Sequence, residues 1–210
     1  MITESVHRNE ALLAWYAEHR RILPWRTDSE PYSVLVSELM LQQTQVSRVV
    51  PKYEAFMDRF PTVEHLAQAG TAEILEAWSG LGYNSRAIRL REAARIIASK
   101  GWPTDVKGLE ELPGVGPYTA AAVASIAFGE PVPAVDTNLR RVLSRWTGTP
   151  LSGQRLQATA EEAVDPDAGS WNQALMDLGS SLCRPTNPVC DACPVSEWCN
   201  DPSVYQPPAR

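Results

Sequence analysis

The 210-residue chain is 44% hydrophobic and carries a net charge of −6. That apolar share is enough for a packed core, which excludes an extended disordered chain. No apolar run reaches eighteen residues, and the start, MITESVHRNE, lacks the basic region and apolar stretch of a leader, so a soluble cytoplasmic protein without a membrane span is expected.

Proline and glycine recur at intervals that leave helix-length segments between them, and strand-period alternation is nearly absent. An all-α fold is predicted. In chain order the spacing predicts helices over 9–19, 31–46, 49–60, 62–69, 71–78, 85–99, 107–111, 117–128, 136–146, 151–164 and 171–182. Thr62 ahead of VEHLA and Thr71 ahead of AEILEAW supply N-terminal caps, the latter with a glutamate in the first turn where the helix dipole favours it. The end, DPSVYQPPAR (201–210), is proline-rich and expected to be loose. Overall acidity does not forbid a polyanionic partner where basic residues cluster, and RLREAAR (Arg89, Arg91, Arg95) and NLRRVLSR (Arg140, Arg141, Arg145) are read either as local positive faces or as ordinary solvated helix surfaces.

Within the second predicted helix, PYSVLVSELMLQQTQV, Glu38 has Val34, Leu35 and Leu41 as its neighbours at helical spacing. A carboxyl on such a face is desolvated, which disfavours its charged form and raises its pKa, as a general acid near neutrality requires. The bland reading is a glutamate that turns outward or pairs with Arg26.

Further on, LPGVG (112–116) leads into the small-residue helix PYTAAAVASIAFG. Two glycines two apart suit a tight turn whose backbone N–H groups all point outward, beside a helix that Pro117 can begin. Such a turn is an anion nest fit for a phosphate, or an ordinary helix–helix turn. Asp136 precedes TNLRRVL and reads first as an N-cap. Held by backbone donors, it would also keep a low pKa and stay ionised.

All four cysteines, Cys183, Cys190, Cys193 and Cys199, fall within SLCRPTNPVCDACPVSEWCN with spacing C-x6-C-x2-C-x5-C. In a reducing compartment such a cluster points to metal rather than disulfides. The spacing fits neither the paired knuckles of a zinc ribbon nor a ferredoxin run. A four-iron four-sulfur cluster suits it, with zinc as the alternative.

LPGVGPYTAAAVASIAFG followed by VDTN resembles the helix-hairpin-helix superfamily of DNA glycosylases. SELMLQQTQV, GLGY, LPGVGPYTAAAV, AVDTNLRRVL and WNQALMDLG, read in order, resemble the adenine DNA glycosylases of that superfamily, over about residues 12–200. The cysteine spacing matches the cluster loop of this family and of the endonuclease III family. The resemblance implies a two-lobed fold, with a central lobe over 26–135 that carries the hairpin. A second lobe is made of 1–25 and 136–210, including a cluster loop at 183–199, and DNA lies across the cleft between the lobes. It implies a monomer that binds double-stranded DNA at a mismatched or damaged base pair, associates with the nucleoid, and removes adenine opposite 8-oxoguanine or guanine by flipping the base out.

Cleaving an N-glycosidic bond calls for an acid to protonate the leaving base and a carboxylate to stabilise the sugar cation. By the resemblance Glu38 is that acid and Asp136 that carboxylate. Tyr118 takes the slot where endonuclease III relatives carry a Schiff-base lysine, so a monofunctional enzyme is implied. Arg26, Asn138 and Gln173 match the base pocket. Gln43, Thr44, Tyr83, Leu112, Gly114, Val115 and Gly116 match DNA-binding positions, with Gln43 and Tyr83 as the side chains that insert into the duplex. Cys183, Cys190, Cys193 and Cys199 match the cluster ligands, and Arg184 among them could meet a phosphate.

Two departures stand out: Asn84 where many relatives have a second tyrosine, and an end at Arg210 where relatives continue into a domain that checks the 8-oxoguanine strand. The competing readings are a thymine or uracil glycosylase acting on G:T or G:U, and a non-catalytic iron–sulfur module. The cluster itself, far along the chain from both carboxylates, reads as structural.

Overall fold

The computed structural model describes residues 2–201 and 203–204. Most of the proline-rich end, Pro202 and 205–210, lies outside the described residues, and so does the expectation of looseness there. The described residues contain no strand. They form α1 (Ile2–His19), α2 (Pro31–Leu41), α3 (Val46–Arg59), α4 (Val63–Gln68), α5 (Thr71–Ala77), α6 (Ser85–Lys100), α7 (Val106–Glu110), α8 (Pro117–Phe128), α9 (Thr137–Thr147), α10 (Gly153–Ala163) and α11 (Ala168–Ser181). Short 3₁₀ turns at Pro24–Arg26, Cys190–Ala192 and Ser196–Trp198 complete them. The chain divides into two compact units, residues 22–128 and residues 1–21 with 129–210.

In the unit 22–128, α2 is buried at every residue from Tyr32 to Met40. It packs against α8, α3 and α6. Its main partner, α8, buries the run Thr119–Ser125, mostly alanines, whose small side chains let the two helices approach closely. Phe56, Leu66, Ile74, Trp78 and Leu90 fill the remaining interior, Phe56 and Trp78 meeting edge to face at 5.9 Å.

The other unit is built on α1, α9, α10 and α11 around Leu12, Leu139, Val142, Trp146, Trp171, Leu175 and Leu178, with Val195 of the cysteine loop closing the same core. Trp171 Nε1 donates to Asn9 Oδ1 at 3.2 Å, and Asn9 Nδ2 to the Ala163 carbonyl at 3.0 Å. These bonds satisfy the polar atoms that burial would otherwise strand.

Caps explain several boundaries. Thr62 accepts from the His65 amide, Asp105 from Gly108 and Asp167 from Ser170. At α5 the cap is Gly70, not Thr71; Glu73 reaches back to the Gly70 amide at 3.2 Å, and Thr71 is already helical. The segment expected as one helix over 31–46 ends at Leu41, because Gln43 lies at φ 54°.

The basic runs divide: Arg89 and Arg95 are exposed and Arg140 is half-buried, while the other three turn inward. Arg91 is buried and donates to Thr71 Oγ1 at 2.7 Å, while Arg141 and Arg145 are 3% and 2% exposed. Their charges are spent inside the fold.

Candidate active site

In the unit 22–128, the chain brings together a buried acid, two exposed turns and the glycine hairpin. Glu38 sits three-quarters of the way along α2 and is 7% exposed, with Val34, Leu35 and Leu39 all at 3% or below. Of the neighbours expected from helical spacing, Val34 and Leu35 are buried with it and Leu41 is half-buried. Arg26 is half-buried at the end of the 3₁₀ turn that precedes α2.

Past α2 the chain turns through Gln42, Gln43 and Thr44. Gln43 is exposed at φ 54°; Tyr83, after the glycine of the GLGY stretch, is 64% exposed at φ 48°. Left-handed backbone is costly for residues with a Cβ and persists where surrounding bonds impose it. Thr44 Oγ1 donates across to the Leu81 carbonyl at 3.5 Å, linking the two turns. That both matched insertion residues carry this strain is not visible in their spacing.

The hairpin divides its residues by side. Leu112 and Val115 bury their side chains at 4% and 7% exposure. Their amides are spent on the turn, Leu112 donating to Leu109 and Val115 to Leu112, both at 3.1 Å. The expectation that every N–H of LPGVG points outward is therefore corrected. Gly114 and Gly116 donate to no residue described here, and they stand beside the first turn of α8, where a helix N-terminus favours an anion. Gly114 sits at φ 85° against Arg89 and Leu39, whereas a Cβ on Gly116 would meet nothing within 4 Å. Tyr118 follows as the half-buried second residue of α8.

In the other unit Asp136 is the N-cap of α9. Its Oδ1 accepts from the Leu139 amide at 2.7 Å and its Oδ2 from Asn138 Nδ2 at 2.8 Å. Burial nevertheless pushes its carboxyl up from the ordinary aspartate value, against the pull of those donors and of Arg141. The expectation of a low pKa is thus reversed: desolvation exceeds the backbone donors.

Asn138 Oδ1 in turn accepts from Arg141 Nη2 at 2.8 Å, and Arg141 Nε donates to the Cys183 carbonyl at 2.7 Å. Both ends of the Asn138 amide are therefore occupied, in a relay that runs from Asp136 to the cysteine loop. Distance along the chain had concealed that link. Arg141 was legible in the sequence only as one more charge in a basic run. Gln173, half-buried on α11, accepts from the Tyr16 hydroxyl at 3.0 Å.

Cys183, Cys190, Cys193 and Cys199 are free thiols that line one cavity of about 80 Å³ with Arg145, Trp146, Leu178 and Val189. Burial pushes the Cys193 thiol up to about 11, and Cys183, Cys199 and Cys190 push it the same way; Cys199 is raised by burial, Cys183 and Cys190. Thiols that disturb one another in this way share a space, and a positive group among them would reverse the effect. Arg145 Nη1 donates to Cys183 Sγ at 3.1 Å and to the Arg184 carbonyl at 2.8 Å, so this arginine braces the loop from beneath. Arg184 itself is exposed. Among the described residues no three His, Cys, Asp or Glu side chains are placed to hold one metal ion. A zinc site would need each sulfur about 2.3 Å from one point. The donor set and the shared cavity fit a thiolate-bound metal group.

Comparison with known proteins places these residues in context. Residues 36–166 match a family described as HhH-GPD superfamily base excision DNA repair protein. An adenine DNA glycosylase of Mycolicibacterium smegmatis is 47% identical over 195 residues, covering 88% of this chain and 66% of the relative. One of Homo sapiens is 43% identical over 208 residues, covering 90% of this chain and 38% of the relative. This chain thus spans less than two thirds of either relative. Among solved structures, a thermostable thymine-DNA glycosylase superimposes with a TM-score of 0.86 at 31% identity, over 94% of this chain and 96% of that one.

Proposed function

This chain belongs to the HhH-GPD superfamily of base excision DNA repair proteins, and from that premise we propose that it excises adenine mispaired with 8-oxoguanine or guanine. It acts as a monomer on duplex DNA and leaves an abasic site. The observation that carries the reading is Glu38, a carboxyl kept inside an apolar helix. A buried ionisable group is costly to fold around, and adenine is a poor leaving group until protonated. The identity to adenine DNA glycosylases across 88–90% of this chain supports the same assignment.

In this mechanism Gln43 and Tyr83 enter the stack beside the lesion, and Gly114 and Gly116 hold a backbone phosphate through main-chain N–H groups. Glu38 delivers its proton to the departing adenine. Asp136, ionised, faces the positive charge that develops on the sugar, and Asn138 and Arg141 hold its orientation. Arg26 and Gln173 each offer hydrogen bonds to the flipped adenine. Tyr118 cannot form a Schiff base, so strand scission does not follow base loss. Cys183, Cys190, Cys193 and Cys199 would hold a four-iron four-sulfur cluster, which supplies no chemistry to the base-release step and pins the loop that Arg141 and Arg145 grip.

The thymine-DNA glycosylase that matches over 96% of its own length supports a second reading, excision of thymine or uracil opposite guanine. Single-turnover assays of the purified protein on A:8-oxoguanine, A:G, G:T and G:U duplexes separate the two. Adenine release without strand nicking is expected. Release of thymine or uracil without adenine would establish the second reading, and no release from any duplex would point to a non-catalytic iron–sulfur module.

A further inference from the structure

We propose that Arg86 is a positioning residue that sets Gln43 and Tyr83 as one rigid two-pronged element before DNA arrives; this rests on the reading that those two side chains enter the duplex. Arg86 opens no channel to solvent: it is 6% exposed, in the first turn of α6. Its Nη1 donates to the carbonyls of Leu39 at 2.8 Å and Met40 at 3.1 Å, and also to that of Gln42. Its Nη2 donates to Thr44 Oγ1 at 3.2 Å and to the carbonyls of Leu81 and Gly82, both at 3.1 Å.

The two arms of one planar fork therefore serve two turns. Nη1 takes the last carbonyls of α2, which have no partner in the helix, and places a positive charge at its C-terminus. That caps the end of α2 and pins the peptide ahead of Gln43, while Nη2 takes the Thr44 hydroxyl just after it. Nη2 pins the two carbonyls just before Tyr83, whose ring centroid is 5.5 Å from the guanidinium carbon, and the Arg86 amide donates to the Tyr83 carbonyl at 2.9 Å. Gln43 and Tyr83 both lie in left-handed backbone, and each is flanked by groups bonded to the same guanidinium. A lysine at 86 would offer a point charge without the fork, and could hold one turn but not both.

Hydrogen exchange of the whole protein without DNA tests the coupling directly. In Arg86→Lys, segments 41–45 and 80–84 should exchange faster together, on the order of tenfold, while α8 keeps wild-type protection. The second readout is the fluorescence of 2-aminopurine beside the lesion in an A:8-oxoguanine duplex, which reports unstacking. Gln43→Ala and Tyr83→Ala should each lower that signal in the wild-type background, Arg86→Lys should lower it as much, and either truncation added to Arg86→Lys should change it less than about twofold.

Full additivity would overturn the coupling while leaving the insertion reading intact; truncations without effect in the wild-type background would remove both. Should Arg86→Lys fail to fold, Arg86→Gln, which keeps one planar NH2 donor and loses the second arm while leaving the Thr44–Leu81 bond in place, takes its part. Faster exchange in both segments then supports the proposal, and a change confined to 41–45 overturns it.

Discussion

The two candidate catalytic carboxyls are held in opposite ways. Glu38 lies on a helix buried along almost its whole length, with Val34, Leu35 and Leu39 buried within four residues of it, so its apolar neighbours could be read from a dozen residues of sequence. Asp136 takes its environment from a relay of Leu139, Asn138, Arg141 and Cys183 that spans more than forty residues. An acid needs little more than an absence of water. A carboxylate that must stay charged in a partly buried site needs donors, and those donors need anchoring of their own.

Removing the first of these carboxyls should have the largest effect. Glu38→Gln keeps the shape and loses the proton, and adenine release should fall by about three orders of magnitude or more in single-turnover assays. The melting temperature, measured alongside, separates loss of the proton from loss of the fold, since glutamine matches glutamate in shape. Wild-type rates in this variant would show that another group protonates the base.

Asp136→Asn attacks the other site and sharpens the contrast, because asparagine also caps a helix. The rate should drop by about a hundredfold or more as the charge opposite the sugar cation disappears. Stability gives a separate signature. The folded pKa of Asp136 is raised from 3.8 by burial, so the folded state holds that proton more tightly than the unfolded chain. Its contribution to stability is present below 3.8 and is lost as pH rises through the folded pKa. The melting temperature of Asp136→Asn relative to wild type should therefore climb as pH rises from acid to neutral. A relative fall would mean that the donors around Asp136 outweigh its desolvation.

Arg141→Lys tests whether the relay matters beyond its ends. Lysine cannot reach Asn138, the Gly179 carbonyl and the Cys183 carbonyl at once, as Arg141 does. Base release should fall about tenfold. Any visible absorbance from a group bound by the four cysteines should be lost sooner on heating, because the first cysteine is loosened. Loss of rate with unchanged thermal release of that group would confine Arg141 to orienting Asp136.

How far each region was legible in the sequence follows from the same contrast. Periodicity and caps located the eleven helices of the described residues, and the apolar spacing around Glu38 anticipated its burial, because both depend on neighbours within a turn or two. The cysteine spacing likewise announced a shared site. What spacing could not show were long-range bonds. Arg141 and Arg145 stood in a run read either as a positive face or as solvated helix surface, and Arg86 in no motif at all, yet each is buried with distant carbonyls as its acceptors. The chain's departure from α2 after Leu41 goes with a bond of the same long-range kind, from Arg86 to the Gln42 carbonyl more than forty residues away.

The glycine hairpin carries the smallest expected effects and the cleanest separation of fold from contact. Gly114 lies at φ 85°, and an added Cβ would stand 3.0 Å from Arg89 Cβ and 3.4 Å from Leu39 Cδ2. Gly114→Ala should therefore cost about 1–2 kcal/mol of stability. Gly116 has neither a left-handed backbone nor a neighbour in reach, so Gly116→Ala should leave the melting temperature unchanged or raise it slightly by restricting the unfolded chain. Nothing in the protein requires glycine there; a phosphate drawn against the main chain would. Gly116→Ala should consequently weaken duplex binding several-fold, to a similar extent for matched and mismatched sequences, because a backbone contact reads no base. Unchanged affinity with unchanged stability would make LPGVG an ordinary turn between α7 and α8.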